Sequence, residues 1–191
     1  MALAVERWNL HKRVALNILA RTGTDGKRLI GGFMLVAALL SMWMTNTSTT
    51  MMLLPIAISV VTVVLSNVQD VDKQSQNNFQ VAMLLGLAFA ATIGGLATLI
   101  GTPPNALLAA FLKENYAIEI SFFDWMLVGV PLTAVMLPTA WIILTRWAFP
   151  VNIAENQAIG EHLKQEREGL GKISTPEKRV AIIFGLVVLG W

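Results

Sequence analysis

Six consecutive polar residues, Thr45–Thr50, interrupt an apolar stretch that runs from Leu29 to Leu65. Asn46 is the one residue among them whose side chain carries both an amide donor and a carbonyl acceptor, so it could face a cation and a carboxylate together. If two helices meet here, the N-terminus of one favours an anion, and carbonyl and hydroxyl oxygens suit a dehydrated sodium ion. The pattern predicts a polar tip that binds both ions. The alternative is that the hydroxyl groups only return hydrogen bonds to helical carbonyls.

A second interruption lies between Gly94 and Asn105, inside the apolar stretch Phe79–Leu112. Glycine removes a side chain and proline removes a backbone donor, so the helix is predicted to unwind here. Freed carbonyls could then complete an ion site, whereas a simple proline kink between packed helices is the alternative. The residues of this break that are predicted to line the site are Gly95, Thr102, Pro103, Pro104 and Asn105.

The residues that carry catalysis in enzymes do not occur here in a catalytic pattern. The chain has no cysteine, and its two histidines, His11 and His162, are isolated in polar flanks. No nucleophile, base and orienting acid occur together. The basic residues flank apolar runs and form no single patch, which argues against a nucleic-acid partner. We therefore expect a non-enzymatic protein whose only metal ion is sodium.

The composition places the chain in a membrane. Hydrophobic residues make up 55% of it and charged residues only 14%, with a mean hydropathy of +0.62, whereas soluble domains carry about 25% charged residues. The charges are also segregated, because residues 29–69, 74–112 and 125–145 contain none. Uncharged runs of this length are typical of membrane helices. The sequence therefore predicts an all-α polytopic membrane protein in contact with a lipid bilayer.

The two apolar arms beside the polar tip predict a re-entrant helical hairpin. Leu29–Met44, with 16 residues, would reach only about 24 Å as a helix, short of a hydrocarbon core of about 30 Å. Met51–Leu65 is equally short, and one continuous helix would be too long for a single crossing. Two short helices that enter and leave on the same side avoid both problems, provided that protein or a cavity surrounds the tip.

The chain divides into six predicted segments. Polar residues at helical spacing near Trp8 indicate an interfacial helix at the start, with the end of a span plus a loop as the alternative. The last apolar run is shorter than the roughly 20 residues of a span, so we expect a fragment, cut at both ends. The segments are an interfacial amphipathic helix and turn (1–28), the re-entrant hairpin (29–66), a discontinuous transmembrane helix (79–112), a transmembrane helix (122–149), a cytoplasmic connection (150–179) and the start of a truncated transmembrane helix (180–191).

The distribution of basic residues predicts the topology. Six Lys or Arg residues precede Leu29 and six lie between Arg146 and Arg179, whereas the turn after Leu112 has only Lys113. The positive-inside rule places both basic flanks in the cytoplasm and requires an even number of crossings between them. A hairpin that does not cross, followed by two spans, meets that requirement. We therefore expect residues 1–28, 67–78 and 150–179 to be cytoplasmic.

Together these motifs resemble the divalent anion/sodium symporters, the INDY-type sodium-coupled dicarboxylate and citrate transporters. The similarity covers nearly the whole chain and is strongest up to Pro150. The matching segments are Glu6–Trp8 with Leu10–His11, Ser41–Thr47, Ile93–Gly95, Ile100–Asn105 and Glu119–Phe122 with the residues up to Pro131.

The resemblance implies sodium-coupled symport of di- or tricarboxylates of the succinate or citrate class. It also implies an elevator-type transporter built from two inverted repeats, of which this chain holds part of the first and lacks the second. A homodimer in the full-length protein and a multi-pass location in the plasma (inner) membrane are further expectations from the family.

The same resemblance assigns roles to individual residues. The family's tip motif is Ser-Asn-Thr, and Asn46 and Thr47 match its last two residues, which would contact the substrate carboxylate. Ser41, Thr45, Asn46 and Gly94 match positions expected at a sodium site. The chain departs from the family at Thr45, where serine is usual. A hydroxyl is retained there, but the extra methyl group could alter the cavity or the sodium geometry.

Two other functions remain open from the sequence. One is an exchanger, or a carrier of another oxyanion such as sulfate, on the same scaffold. The other is a non-transporting membrane receptor or scaffold that retained the hairpin for packing. The latter predicts no sodium-dependent binding.

Overall fold

A computed structural model describes residues 25–67 and 72–153 continuously, together with residues 13 and 15–19 and separate positions within 161–183. Throughout these described parts, all regular structure is helical. The two continuous parts contain α1 (Gly26–Ser41), α2 (Asn46–Asn67), α3 (Lys73–Gly95), α4 (Pro103–Tyr116) and α5 (Phe122–Ile142), the last continued by π-helical residues Ile143–Ala148.

Three of these helices are long and apolar enough to cross a membrane: α2, α3, and α5 with its π-helical end. The prediction of an all-α polytopic membrane protein is confirmed. Most of the predicted segments 1–28 and 150–179, and most of 180–191, lie outside the described residues.

α1 and α3 pack side by side and run in the same direction. Gly86 of α3 lies against Ile30 and Met34, and eight residues further along each helix Gly94 lies against Ala38. The largest buried side chains of this interface and its surroundings include Phe33, Phe79, Leu29, Met83 and Leu87. Because α1 and α3 are parallel, α2 must return the chain to the end of the bundle at which α1 begins.

α5 runs antiparallel to both of these helices. Near its start, the indole Nε1 of Trp125 donates to Leu96 O, just after the end of α3, at 3.0 Å. Near its end, the indole Nε1 of Trp141 donates to Lys27 O, in the first turn of α1, at 2.8 Å. α5 therefore covers the same depth of the bundle as α1 and α3.

The starts of α1 and α3 lie at one end of the bundle, together with the segment that follows α5. Gly26 N donates to Ile153 O at 3.3 Å, and Asn78 Nδ2 donates to Pro150 O at 3.2 Å. The described part of residues 1–28 also contacts the connection after α5, because Arg13 forms an ion pair of 3.4 Å with Glu177. These contacts agree with one common side for the three segments that the charges place in the cytoplasm.

The polar tip differs from the prediction in its second half. Residues 46–50 are helical, and only Met42–Thr45 separates α1 from α2. Thr45 makes this possible because its Oγ1 accepts from Ser48 N at 3.2 Å, the hydrogen bond of a helix N-cap. α2 has 22 residues and is about 33 Å long, so the argument that both arms are too short to span is wrong for the second arm. The re-entrant path stays a prediction, now supported by the parallel packing of α1 and α3.

The start of α3 also differs from the predicted one, whereas the break after it lies within the predicted interruption. α3 begins at Lys73 and not at Phe79, because Asp72 caps it by accepting from Ser75 N at 3.2 Å. The hydrogen bonding from Ser75 also lowers the pKa of Asp72 below its ordinary value. The stretch predicted as one discontinuous helix consists of α3 and α4, which residues 96–102 separate.

The parallel packing leads to a test of topology in the natural protein that contains residues 1–191, in a cysteine-free background. Lys73→Cys and Gln165→Cys should react with an impermeant thiol reagent only from the cytoplasmic side, and Asn115→Cys only from outside, because α1 and α2 together return to the side on which they enter. Lys73 is chosen because it is exposed and leaves the cap at Asp72 intact. Labelling in right-side-out and inside-out vesicles makes the measurement. Labelling of Lys73→Cys and Gln165→Cys from opposite sides would show that the hairpin crosses the membrane.

Candidate functional site

The tip of the hairpin brings Ser41 and Asn46 together. The Ser41 side chain is fully buried, and its Oγ donates to Asn46 Oδ1 at 2.7 Å. Asn46 is half-buried, and Thr47 beside it is exposed. By helix geometry, the backbone amides of Asn46 and Thr47 have no carbonyl partner within α2. The first turn of α2 therefore presents an amide side chain and free backbone donors at an accessible surface.

Thr45 holds this turn in place and is itself exposed. Besides capping Ser48 N, its hydroxyl group lies 3.0 Å from Ser48 Oγ, and Thr45 O accepts from Thr49 N at 3.0 Å. Serine and threonine are both good N-caps, so the extra methyl group of Thr45 is compatible with the start of α2. Its Oγ1 is engaged with Ser48 in the cap.

Two consecutive glycines let the end of α3 approach the hairpin at backbone distance. A Cβ atom on Gly94 would overlap the backbone of Ala38 in α1, and one on Gly95 would overlap Asn46 Oδ1. The interruption between α1 and α2 is therefore in direct contact with the interruption between α3 and α4. The structure brings together Ser41, Asn46, Gly94 and Gly95, which the sequence placed at one site.

Asn105 stabilises the break between α3 and α4. Its side chain is almost completely buried, and Nδ2 donates to both Gly95 O and Thr98 O at 2.9 Å. The Thr98 hydroxyl in turn donates to Met42 O in the tip. A Cβ atom on Gly101 would lie 2.5 Å from Gly95 O, so this turn too is as tight as glycine allows. The Asn105 Nδ2 group therefore holds the break together from inside.

Thr102, Pro103 and Pro104 form the start of α4. Thr102 is half-buried and makes no side-chain cap, and both prolines are exposed. Proline has no backbone N–H, so the first turn of α4 lacks two of the donors that a helix N-terminus normally offers. α2 is therefore the better provided of these two N-termini for binding an anion.

The ends of three helices give this region its electrostatic character. The C-terminal ends of α1 and α3 carry partial negative charge, and the N-terminal end of α2 carries partial positive charge. All three meet near Asn46. The available ligands are the hydroxyl of Ser41, the amide oxygen of Asn46 and backbone carbonyls, all of them the hard oxygen donors that suit an alkali cation. In the described parts of the chain, no group of three or more His, Cys, Asp or Glu side chains could hold a metal ion.

Sequence reasoning missed residues of α5 that contact the break. Trp125 donates to Leu96 O, and the Thr133 hydroxyl donates to Ile93 O at 3.1 Å. Gly129, midway between them, packs against the carbonyl groups of residues 96 and 97. The spacing of four residues puts all three on one helix face, which was the available signal.

Thr49 is a second residue whose environment the sequence did not reveal. Its side chain is fully buried, and within the described structure its Oγ1 has no hydrogen-bond partner. The neighbouring Thr50 behaves differently, because its hydroxyl donates to Asn46 O at 2.8 Å. The hydroxyl groups of the tip therefore differ in role. Thr45 caps α2, Thr50 donates to its own helix, and the buried Thr49 hydroxyl makes no hydrogen bond within the described structure.

Comparison with known proteins gives the family. Residues 1–191 match the model of the citrate transporter family. The sodium-dependent dicarboxylate transporter SdcS of Staphylococcus aureus strain USA300 is 36% identical over 196 residues, an alignment that covers 100% of this chain and 37% of the relative. The proteins of the same name from strains NCTC 8325 and bovine RF122 give the same identity and coverage.

The chain thus spans about 37% of the length of these relatives. They are transporters, in agreement with the prediction of a non-enzymatic membrane protein, and the resemblance found in the sequence motifs is confirmed. The chain belongs to the citrate transporter family.

Proposed function

We propose that this chain supplies one wall of the binding site of a sodium-coupled carrier that moves di- or tricarboxylates of the succinate or citrate class by symport. The observation that carries the proposal is the meeting of three helix ends at Asn46. The amide oxygen of Asn46 lies on the buried side with Ser41, whereas the free backbone amides of the first turn of α2 lie beside the exposed Thr47. Asn46 therefore lies between oxygen groups that suit a cation and N–H groups that suit an anion.

This adjacency gives a physical basis for coupling. A sodium ion held by Ser41, Asn46 and carbonyls at the end of α3, such as that of Gly94, would fix the orientation of the Asn46 side chain. It would also add positive charge beside the place where a carboxylate meets the amides of Asn46 and Thr47. Each bound ion then lowers the free energy of binding the other, as reciprocal linkage requires. Thr45 would contribute by holding the first turn of α2 in its capped conformation.

The remaining features of the proposed carrier are those that the family resemblance implies. In a longer protein, a second inverted repeat would provide the opposite wall, and alternating access would move the site in the manner of an elevator. A homodimer in the plasma membrane, with the basic segments in the cytoplasm, completes the proposal. It is supported by the apolar helices α2, α3 and α5 and by the name of the SdcS relatives, which describes sodium-dependent dicarboxylate transport.

The proposal predicts a strong effect at Asn46 and a weak one at Thr49. Asn46→Ala removes the side-chain oxygen proposed for sodium and the side-chain N–H available to the carboxylate, while the backbone amide stays. A hydrogen bond to a charged group contributes about 1.5–3 kcal/mol, so the apparent affinities for sodium and substrate should each fall at least about tenfold. Thr49→Val, the matched control, removes a buried hydroxyl that makes no hydrogen bond. It should leave transport unchanged and stability unchanged or raised. Succinate and citrate uptake into proteoliposomes at varied external sodium, using the natural protein that contains residues 1–191, is the measurement.

Other results would point elsewhere. Unchanged sodium and substrate affinities in Asn46→Ala would exclude its proposed double role. Loss of sodium dependence in Thr49→Val would instead make Thr49 a sodium ligand. For the unaltered protein, uptake driven by internal carboxylate without sodium would favour an exchanger, and inhibition by sulfate would favour a carrier of other oxyanions. Absence of any sodium-dependent binding would favour a receptor or scaffold.

Substitutions at Gly94 and Gly95 should separate effects on stability from effects on sodium binding. Gly94→Ala sets a methyl group against the backbone of Ala38, which cannot rotate away, so α1 and α3 must separate at a cost of about 1–3 kcal/mol. Gly95→Ala sets one against the amide of Asn46, whose side chain can rotate. We expect a lower melting temperature for Gly94→Ala. For Gly95→Ala we expect near-normal stability and weakened sodium affinity.

Gly86→Ala is the matched control on the same helix, because its methyl group would meet the flexible Met34 side chain at 3.2 Å, two turns below the tip. Thermal unfolding in detergent and sodium-dependent uptake are measured for all three variants. A Gly95→Ala protein with normal sodium affinity would contradict the placement of the Asn46 amide in the ion site.

A further inference from the structure

α5 buries little of its surface, and its two buried residues contact the end of α3 and the break that follows it. Within Phe122–Ile142, the buried residues are Gly129 and Thr133. Most of the apolar side chains of this helix are exposed, among them Phe123, Leu127, Val128 and Val135. The closest packing of α5 is therefore concentrated on one short face.

The contacts of that face include three carbonyl groups. Thr133 Oγ1 donates to Ile93 O at 3.1 Å in a buried position, and Trp125 Nε1 donates to Leu96 O at 3.0 Å. A Cβ atom on Gly129 would lie 2.7 Å from both Leu96 O and Ala97 O. Three residues of α5 at a spacing of four thus contact the carbonyls of three residues at the end of α3.

Along the sequence, the residues that carry these carbonyls flank the two glycines of the candidate site. Ile93 precedes Gly94 and Gly95, and Leu96 and Ala97 follow them. The last carbonyls of a helix lack the regular partner four residues on. Here Ile93 O and Gly94 O accept from Leu96 N and Ala97 N in the turn that follows, and the donors of α5 add to what sets the direction of these carbonyls. Once the carbonyls of Ile93 and Leu96 are held by α5, the peptide units between them have little freedom to turn.

From this geometry we propose that Trp125, Gly129 and Thr133 are positioning residues for the cation site. They touch neither ion. They hold the carbonyls on both sides of Gly94–Gly95. In this way they fix the direction of the Gly94 carbonyl and the position of Gly95 against the Asn46 side chain, and both face the ion. The inference rests on the proposed function, because it names what orients the ligands of that same site.

Ordinary helix packing explains the arrangement less well. Small residues at a membrane-helix interface usually let two helical backbones approach along several turns. Here Gly129 approaches residues 96 and 97, which lie beyond the helical part of α3. The indole of Trp125 also donates to a carbonyl outside any helix. Both contacts are specific to the break.

The test uses substitutions that each change one contact between α5 and the break. Thr133→Val removes the hydroxyl, Thr133→Ser retains it, and Trp125→Phe removes the indole donor. Gly129→Ala pushes on the same carbonyls sterically. The matched control is Thr139→Val on the exposed face of α5, where the hydroxyl donates only to Val135 O of its own helix. Ile93 O keeps a second donor, Leu96 N, in Thr133→Val, so the variant should fold.

Two readouts are compared in the natural protein that contains residues 1–191. Amide hydrogen exchange of residues 93–102 should increase in Thr133→Val, Trp125→Phe and Gly129→Ala, and exchange of residues 30–38 should not. The sodium concentration that gives half-maximal uptake should rise by about three- to tenfold, the range expected for one lost neutral hydrogen bond. The maximal rate at saturating sodium should fall less. Thr133→Ser should restore both readouts, and Thr139→Val should change neither.

A purely structural role would lower the melting temperature without moving the sodium dependence of the folded protein, and that outcome would overturn the proposal. Unchanged exchange at residues 93–102 would overturn it as well. If the unaltered protein showed no sodium dependence, the proposed function would fail. In that case the exchange measurement would still decide whether α5 holds the break.

Discussion

The structure depends on one constraint, which is that polar backbone groups exposed by a helix break need partners where lipid provides none. The continuously described residues contain two such breaks, one between α1 and α2 and one between α3 and α4, and the fold places them against each other. Gly94 and Gly95 allow this contact because any side chain there would overlap Ala38 or Asn46. Asn105 and the Thr98 hydroxyl then tie the carbonyls of one break to the other. The breaks are stable because they are paired.

Pairing the breaks leaves a small set of groups for ligands. Carbonyls that face α5 are occupied by Trp125 and Thr133, and the amide of Asn105 is used within the break. The groups that stay accessible cluster at the start of α2, around Asn46 and the exposed Thr47. Some polar residues therefore hold the breaks together, and others stay accessible to ligands. The two groups look alike in the sequence, and what separates them is the side of the break that each residue faces.

The parts of the site that could be predicted from sequence are those that break a pattern. Asn46, Gly94, Gly95 and Asn105 stand out because amides and helix breakers are unusual in apolar runs, and the structure places all four at the paired breaks. The start of α2 at Asn46 was missed because a polar run suggests a loop, whereas a single cap at Thr45 suffices to start the helix. Thr133 was missed because threonine in a membrane helix usually bonds its own backbone, as Thr139 does. Only the fold distinguishes these two threonines.

The parallel packing of α1 and α3 also sets the order in which the molecule can be assembled. Ala38 and Gly94, which touch, are separated by 56 positions in the chain. The hairpin ends at Asn67 and α3 ends at Gly95, 28 residues later, so at a synthesis rate of about 5–20 residues per second the hairpin is complete roughly 1–6 seconds before the end of α3 has been made. During that interval its polar tip has no α3 to cover it, and a bilayer offers it no substitute partner. The hairpin must therefore wait in the insertion machinery, in water or beside another protein until α3 arrives, so its membrane insertion is coupled to the synthesis of a later helix.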